Sequence, residues 1–134
     1  MKKAIIVALS MLILASCGIN HTSQNLIGDT GEYFYGIEAG TYHDDMDSEL
    51  SITKDGENEY SIDFGVYKVS FFEGATGEYD TKTGILHFAG KDVYGKSVSA
   101  DVRSEDGHLV VTILDWEYED YLPNGTKLIF YKQK

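Results

Sequence analysis

At 134 residues the chain allows one domain, long enough to bury a core of its own. Hydrophobic residues at 43% and aromatics at 13%, with Tyr the most frequent at 10 positions, exclude a disordered chain and favour strands over helices. A formal charge of −11 makes nucleic acid and anionic lipid headgroups poor partners, and makes a cationic protein, peptide or metal ion electrostatically welcome.

In chain order the first element is a leader. Met1, Lys2 and Lys3 form a short positive region, and Ala4 to Ala15 is an apolar run of signal-peptide length. A comfortable transmembrane helix needs about 20 apolar residues, so the run reads as a secretion signal. Leu14-Ala15-Ser16-Cys17 follows, with leucine and two small residues ahead of the only cysteine. This stretch resembles the lipobox of bacterial lipoproteins. The resemblance implies removal of residues 1–16, a diacylglyceryl group on the Cys17 thiol, and a mature protein anchored to a membrane through that lipid. Each buried methylene of such an anchor contributes about 0.8 kcal/mol. Gly18 follows the cysteine, and no retention aspartate does. The expected location is therefore the cell envelope: the outer membrane where the host has one, otherwise the outer face of the cell membrane. Loss of Lys2 and Lys3 with the leader takes the charge from −11 to −13. With the one thiol committed to lipid, the domain holds together without an intramolecular disulfide.

Residues 17–30 carry the lipidated cysteine and a polar, glycine-containing stretch without periodicity, a flexible tether reaching about 20 Å. The domain is expected over residues 31–134. No segment of ten or more residues there shows a helical apolar period, whereas alternation is frequent: Leu50 and Ile52; Tyr60, Ile62 and Phe64; Val98, Ala100 and Val102; Leu109, Val111 and Ile113. About eight strands are predicted, at 33–42, 49–54, 59–71 with a bend at Gly65, 77–80, 84–89, 96–104, 108–114 and 126–131. Short links between them make an antiparallel meander, which avoids exposed edges by closing into an all-β barrel. Gly40-Thr41-Tyr42 and Gly77-Glu78-Tyr79 resemble the Gly-x-Trp of small lipocalin-like and avidin-like barrels, with tyrosine in place of tryptophan.

In a meander, alternate connections lie at opposite ends. The tight ones are Asp55 to Asn58, Thr81 to Gly84 and Glu105 to Gly107. The longer ones are His43 to Glu49, Glu73 to Thr76, Gly90 to Gly95 and Asp115 to Gly125. Those carry Asp44, Asp45, Asp47, Glu49, Glu73, Asp92, Asp115, Glu117, Glu119 and Asp120, together with Trp116, Tyr118 and Tyr121. Such aromatics supply rigid contact area at interfaces. The candidate partner-binding residues are Asp44, Asp45, Asp47, Trp116, Glu117, Tyr118, Glu119, Asp120 and Tyr121, on an end expected to face away from the membrane.

The carboxylates of His43 to Glu49 lack the Gly and Glu positions of a calcium loop, and His21, His43, His87 and His108 lack metal-ligand spacing. No metal or cofactor is expected. No nucleophile, phosphate-loop or paired-cysteine motif occurs, so the expected function is a non-enzymatic binding or accessory module. Two alternatives are a lipocalin-like carrier of a small apolar ligand, which requires an empty barrel, and an inhibitor of a cationic enzyme such as lysozyme. A carrier fails if Tyr60, Ile62, Phe64, Val98, Val102, Leu109, Val111, Ile113, Leu128 and Phe130 plug the interior.

Overall fold

The computed structural model describes residues 36–134. The leader, Cys17, the tether, the expected domain start at Gly31 and the beginning of the first predicted strand lie outside the described residues.

Eight strands follow one another: β1 (Gly40–His43), β2 (Glu49–Lys54), β3 (Glu59–Val66), β4 (Ser70–Asp80), β5 (Ile85–Lys91), β6 (Ser97–Glu105), β7 (His108–Trp116) and β8 (Lys127–Lys132). Each pairs antiparallel with the next, and β8 pairs with β1, so the meander closes into a barrel. The closing seam is short, Tyr42 opposite Lys132 and His43 opposite Tyr131. Beyond it the Gln133 N–H donates to the Thr41 carbonyl at 3.0 Å, and Lys132 pairs with Glu38.

Alternation decides the interior. Leu50, Ile52, Ile62, Phe64, Phe72, Leu86, Phe88, Val98, Ala100, Val102, Val111, Ile113 and Phe130 are all buried. Phe64 sits at the centre, its ring 5.7 to 5.8 Å from those of Phe72, Phe88, Trp116 and Phe130. These tilted and edge-on contacts are the arrangement aromatic quadrupoles favour. Truncating Phe64 to alanine would cost about 3–5 kcal/mol. The inward side chains of the barrel thus pack against one another in a single core. Tyr42 and Tyr79, from the two Gly-x-Tyr stretches, are both buried in this core.

Two predicted elements differ from the fold. The strand expected over 59–71 ends at Val66, and the chain reverses through Tyr67-Lys68-Val69. The Val69 N–H donates to the Val66 carbonyl at 3.0 Å, and Lys68 adopts a left-handed φ of 59°. The connection expected at Glu73 to Thr76 instead lies inside β4. There one residue of β3, Asp63, faces two of β4, Glu73 and Gly74, forming a bulge between the pairs Ile62–Ala75 and Phe64–Phe72. Gly74 takes the left-handed φ of 68° this requires, and its N–H donates to Asp63 Oδ1 at 2.7 Å. Glu73 therefore lies along the barrel wall and does not belong to the acidic end.

Connection parity sorts the remaining loops. The tight turns occupy one end. Segments 44–48, 67–69, 92–96 and 117–126 occupy the other. The chain approaches β1 at the tight-turn end, where Gly36 abuts Tyr60 and its backbone hydrogen-bonds Tyr79.

Candidate functional site

Two of the four long-loop connections are built alike. In segment 44–48 the Asp44 N–H donates to the Ser48 carbonyl at 3.2 Å, while Asp44 Oδ1 accepts from the backbone N–H groups of Met46 (2.8 Å) and Ser48 (2.7 Å). In segment 92–96 the Asp92 N–H donates to the Lys96 carbonyl at 2.9 Å, and Asp92 Oδ1 accepts from Tyr94 (2.9 Å) and Lys96 (2.8 Å). The fourth residue of each is left-handed, Asp47 at φ 65° and Gly95 at φ 80°. A carboxylate that caps its own loop replaces the strand ladder for those N–H groups and fixes the backbone. Asp44 is thereby a loop-forming residue. Among the described residues no group of three or more His, Cys, Asp or Glu side chains is placed to hold a metal ion.

Asp92 goes further, because it is buried. Its Oδ2 accepts from Ser70 Oγ at 2.8 Å and from Trp116 Nε1 at 3.1 Å, so one carboxylate joins the start of β4, the β5–β6 loop and the end of β7. Burial, the largest single influence, pushes its pKa up. Donation from Lys96 N–H, Ser70, Trp116 and Tyr94 N–H together outweighs it and holds the carboxyl below its ordinary 3.8.

Trp116, expected on the binding surface, is fully buried. The reason is a second bulge: Ser99 pairs with Asp115 and Ala100 with Ile113, leaving Leu114 as an extra residue in β7. The insertion reverses the inside-outside alternation and turns Trp116, not Asp115, into the core.

Segment 117–126 begins with a helical turn in which the Tyr118 carbonyl accepts from the N–H groups of Tyr121 and Leu122, and Leu122 anchors it in the core. Tyr118 is half-buried with its ring edge-on to Trp116 at 5.7 Å. Lys96 Nζ lies 4.5 Å from the Tyr118 ring centroid and 4.0 Å from Glu117 Oε2. Glu117, Glu119, Asp120 and Tyr121 are exposed, Tyr121 by 75%, and with Asp115 and Tyr118 they line a concavity of about 460 Å³. Asp45 and Asp47 are exposed on the β1–β2 loop. Asp47 lines a different groove, of about 400 Å³, formed with the β3–β4 hairpin. Of the expected site residues, Glu117, Tyr118, Glu119, Asp120 and Tyr121 thus line one concavity and Asp47 the other, while Asp44, Asp45 and Trp116 line neither.

Five surface residues here were not anticipated: Met46, Tyr67, Phe71, Val93 and Tyr94, all at least half exposed. With Tyr121, they give every long-loop connection an exposed large apolar side chain, while none of the tight turns carries one. Val93 and Tyr94 were legible, since the middle of an Asp-x-x-Gly loop must point outward. Tyr67 was hidden because its turn contains no glycine, proline or asparagine.

Compared with protein-family models, with curated proteins and with solved structures, the chain matches none of them.

Proposed function

We propose that this protein is a lipid-anchored, non-enzymatic binding module of the bacterial cell envelope, which captures a cationic protein or peptide on its acidic, aromatic loop end. The observation that carries the reading is the asymmetry of the barrel: all four long-loop connections present exposed apolar side chains, and two of them, 44–48 and 117–126, present exposed carboxylates as well, at the end opposite the one where the chain enters β1. Isolated surface apolar residues need no explanation, but their concentration at one pole supports reading it as a contact surface. Charge supplies the sign of the partner, since carboxylates speed encounter with a basic surface and repel acidic ones. The Leu-Ala-Ser-Cys stretch supports anchoring through Cys17, and entry of the chain at the tight-turn end supports an outward-facing acidic pole.

The test is affinity capture from envelope extracts with the full chain as bait, compared with a variant carrying Glu117→Lys, Glu119→Lys and Asp120→Lys. All three positions are exposed, so the fold is retained. Capture of a basic partner is expected to weaken with salt and to be lost in the triple reversal. Undiminished capture by the reversed variant would remove the acidic end from consideration.

A further inference from the structure

The groove beside the β3–β4 hairpin has a particular construction. Glu49 on β2 lies opposite Gly65 on β3, and Gly65 lies opposite Phe71 on β4. Laterally paired residues project to the same face of a sheet, and the exposure of Glu49 and Phe71 identifies it as the outer face. Gly65 leaves a gap in this row: a Cβ there would lie 3.2 Å from that of Phe71. Strand spacing puts the Glu49 and Phe71 backbones about 10 Å apart across it. The groove opens over this gap with Tyr67, Tyr94 and Asp47 at its rim.

Its walls are fixed before any ligand arrives. The Tyr67 N–H donates to Ser48 Oγ at 3.2 Å, tying the hairpin to the β1–β2 loop, and the Val93 N–H donates to the Phe71 carbonyl at 3.0 Å, tying β4 to the β5–β6 loop. Ser51 Oγ donates to Glu49 Oε1 at 3.4 Å, and His43 Nε2 lies 3.5 Å from Glu49 Oε2. Such preorganisation lowers the ordering cost of binding.

Aromatic faces beside carboxylates, around a floor without a side chain, match a planar cation. A guanidinium stacks on a ring and forks to a carboxylate at once, whereas an ammonium acts as a compact point charge. A second copy of a chain of charge −11 would meet like charge here, as would an anionic bilayer. One cation is already present, because Lys68 Nζ stands 5.0 Å from the Tyr67 ring centroid.

We propose that this groove is an arginine-recognition site, in which an arginine side chain of a basic partner protein lies over Gly65, stacks on Phe71 and Tyr67, pairs with Glu49 and Asp47, and displaces Lys68. The assignment rests on the reading that this pole faces the partner.

The experiment titrates the full chain, in non-ionic detergent at physiological salt, with fluorescent hexa-arginine and hexa-lysine peptides, followed by anisotropy. Hexa-arginine is expected to bind about tenfold more tightly. Phe71→Ala and Glu49→Gln, both at exposed positions, each weaken it by about fivefold or more, while Lys68→Asn, which suits the left-handed φ, tightens it. Equal affinity for the two peptides, or binding unmoved by Phe71→Ala and Glu49→Gln, overturns the site. If hexa-arginine binding falls only in the triple reversal of Glu117, Glu119 and Asp120, the groove assignment fails while the acidic pole stands. Absence of binding by either peptide also overturns the groove, and partner capture then decides the broader reading by itself.

Discussion

At the scale of single residues, Asp92 carries more of the structure than its place in an acidic loop suggests. Replacing it with alanine leaves the Trp116 indole N–H, the Ser70 hydroxyl and two backbone N–H groups without their acceptor, at about 1–3 kcal/mol for each group that water cannot reach. Asp92→Asn keeps the shape but removes the charge and one acceptor, and is expected to destabilise by about 2 kcal/mol in urea denaturation at neutral pH. The pH dependence has a definite sign. A carboxyl held below 3.8 in the fold contributes stability that is complete above that value and is lost as pH falls through the folded pKa. The gap between the wild type and Asp92→Asn should therefore persist from neutral pH to about 4 and narrow below it. A gap that widens on acidification would contradict the role given to Asp92. Nothing local in the structure distinguishes Asp92 from Asp44, because the same five-residue pattern of capping hydrogen bonds occurs at both. The difference lies in Trp116, which reaches Asp92 only through the bulge at Leu114.

At the scale of elements, the alternating strands were legible because each buries one face, and the inward set from β2, β3, β6 and β7 matches the alternation of the sequence. Bulges were not legible, since one inserted residue shifts the parity of everything after it without changing composition. Gly74 shows the ambiguity: glycine in the stretch Glu73-Gly74-Ala75-Thr76 is a turn signal, yet here it supplies the left-handed residue of a bulge. No atom lies within 4 Å of the position where its Cβ would stand, so Gly74→Ala meets no clash and its cost is backbone strain alone. The expected loss is about 1–2 kcal/mol, with Gly74→Asn milder because asparagine tolerates that conformation better. Equal stability of Gly74→Ala and the wild type in denaturant melts would show that the bulge does not need this conformation. The turn at Tyr67-Lys68-Val69 is the reverse case: a hairpin whose left-handed residue is lysine gives no compositional sign of itself.

At the scale of the whole molecule, the inward side chains form one core, and the two concavities at the long-loop end lie on the surface. Fold class, the separation of the two ends and the aromatic residues of segment 117–126 followed from alternation, connection lengths and composition, while the contributions of Met46, Tyr67 and Phe71 to the long-loop end emerged only when distant segments met in space. The proposed anchor makes its own prediction. Cys17→Ala is expected to leave an unlipidated precursor that keeps its leader, and phase separation in detergent followed by mass measurement checks this. A variant of mature size that still enters the detergent phase would disprove anchoring through Cys17.

The seam between β1 and β8 has a consequence for the order of events during synthesis. The strand that closes the barrel ends at Lys132, and Phe130, one of the rings around Phe64, lies on it. Until those residues are available the meander keeps two open edges and an incomplete core, so the first strands cannot settle independently of the last. A polypeptide built this way stays pliable while most of its length is being made. For export by the leader proposed above, that is the state in which a chain threads a narrow translocation channel.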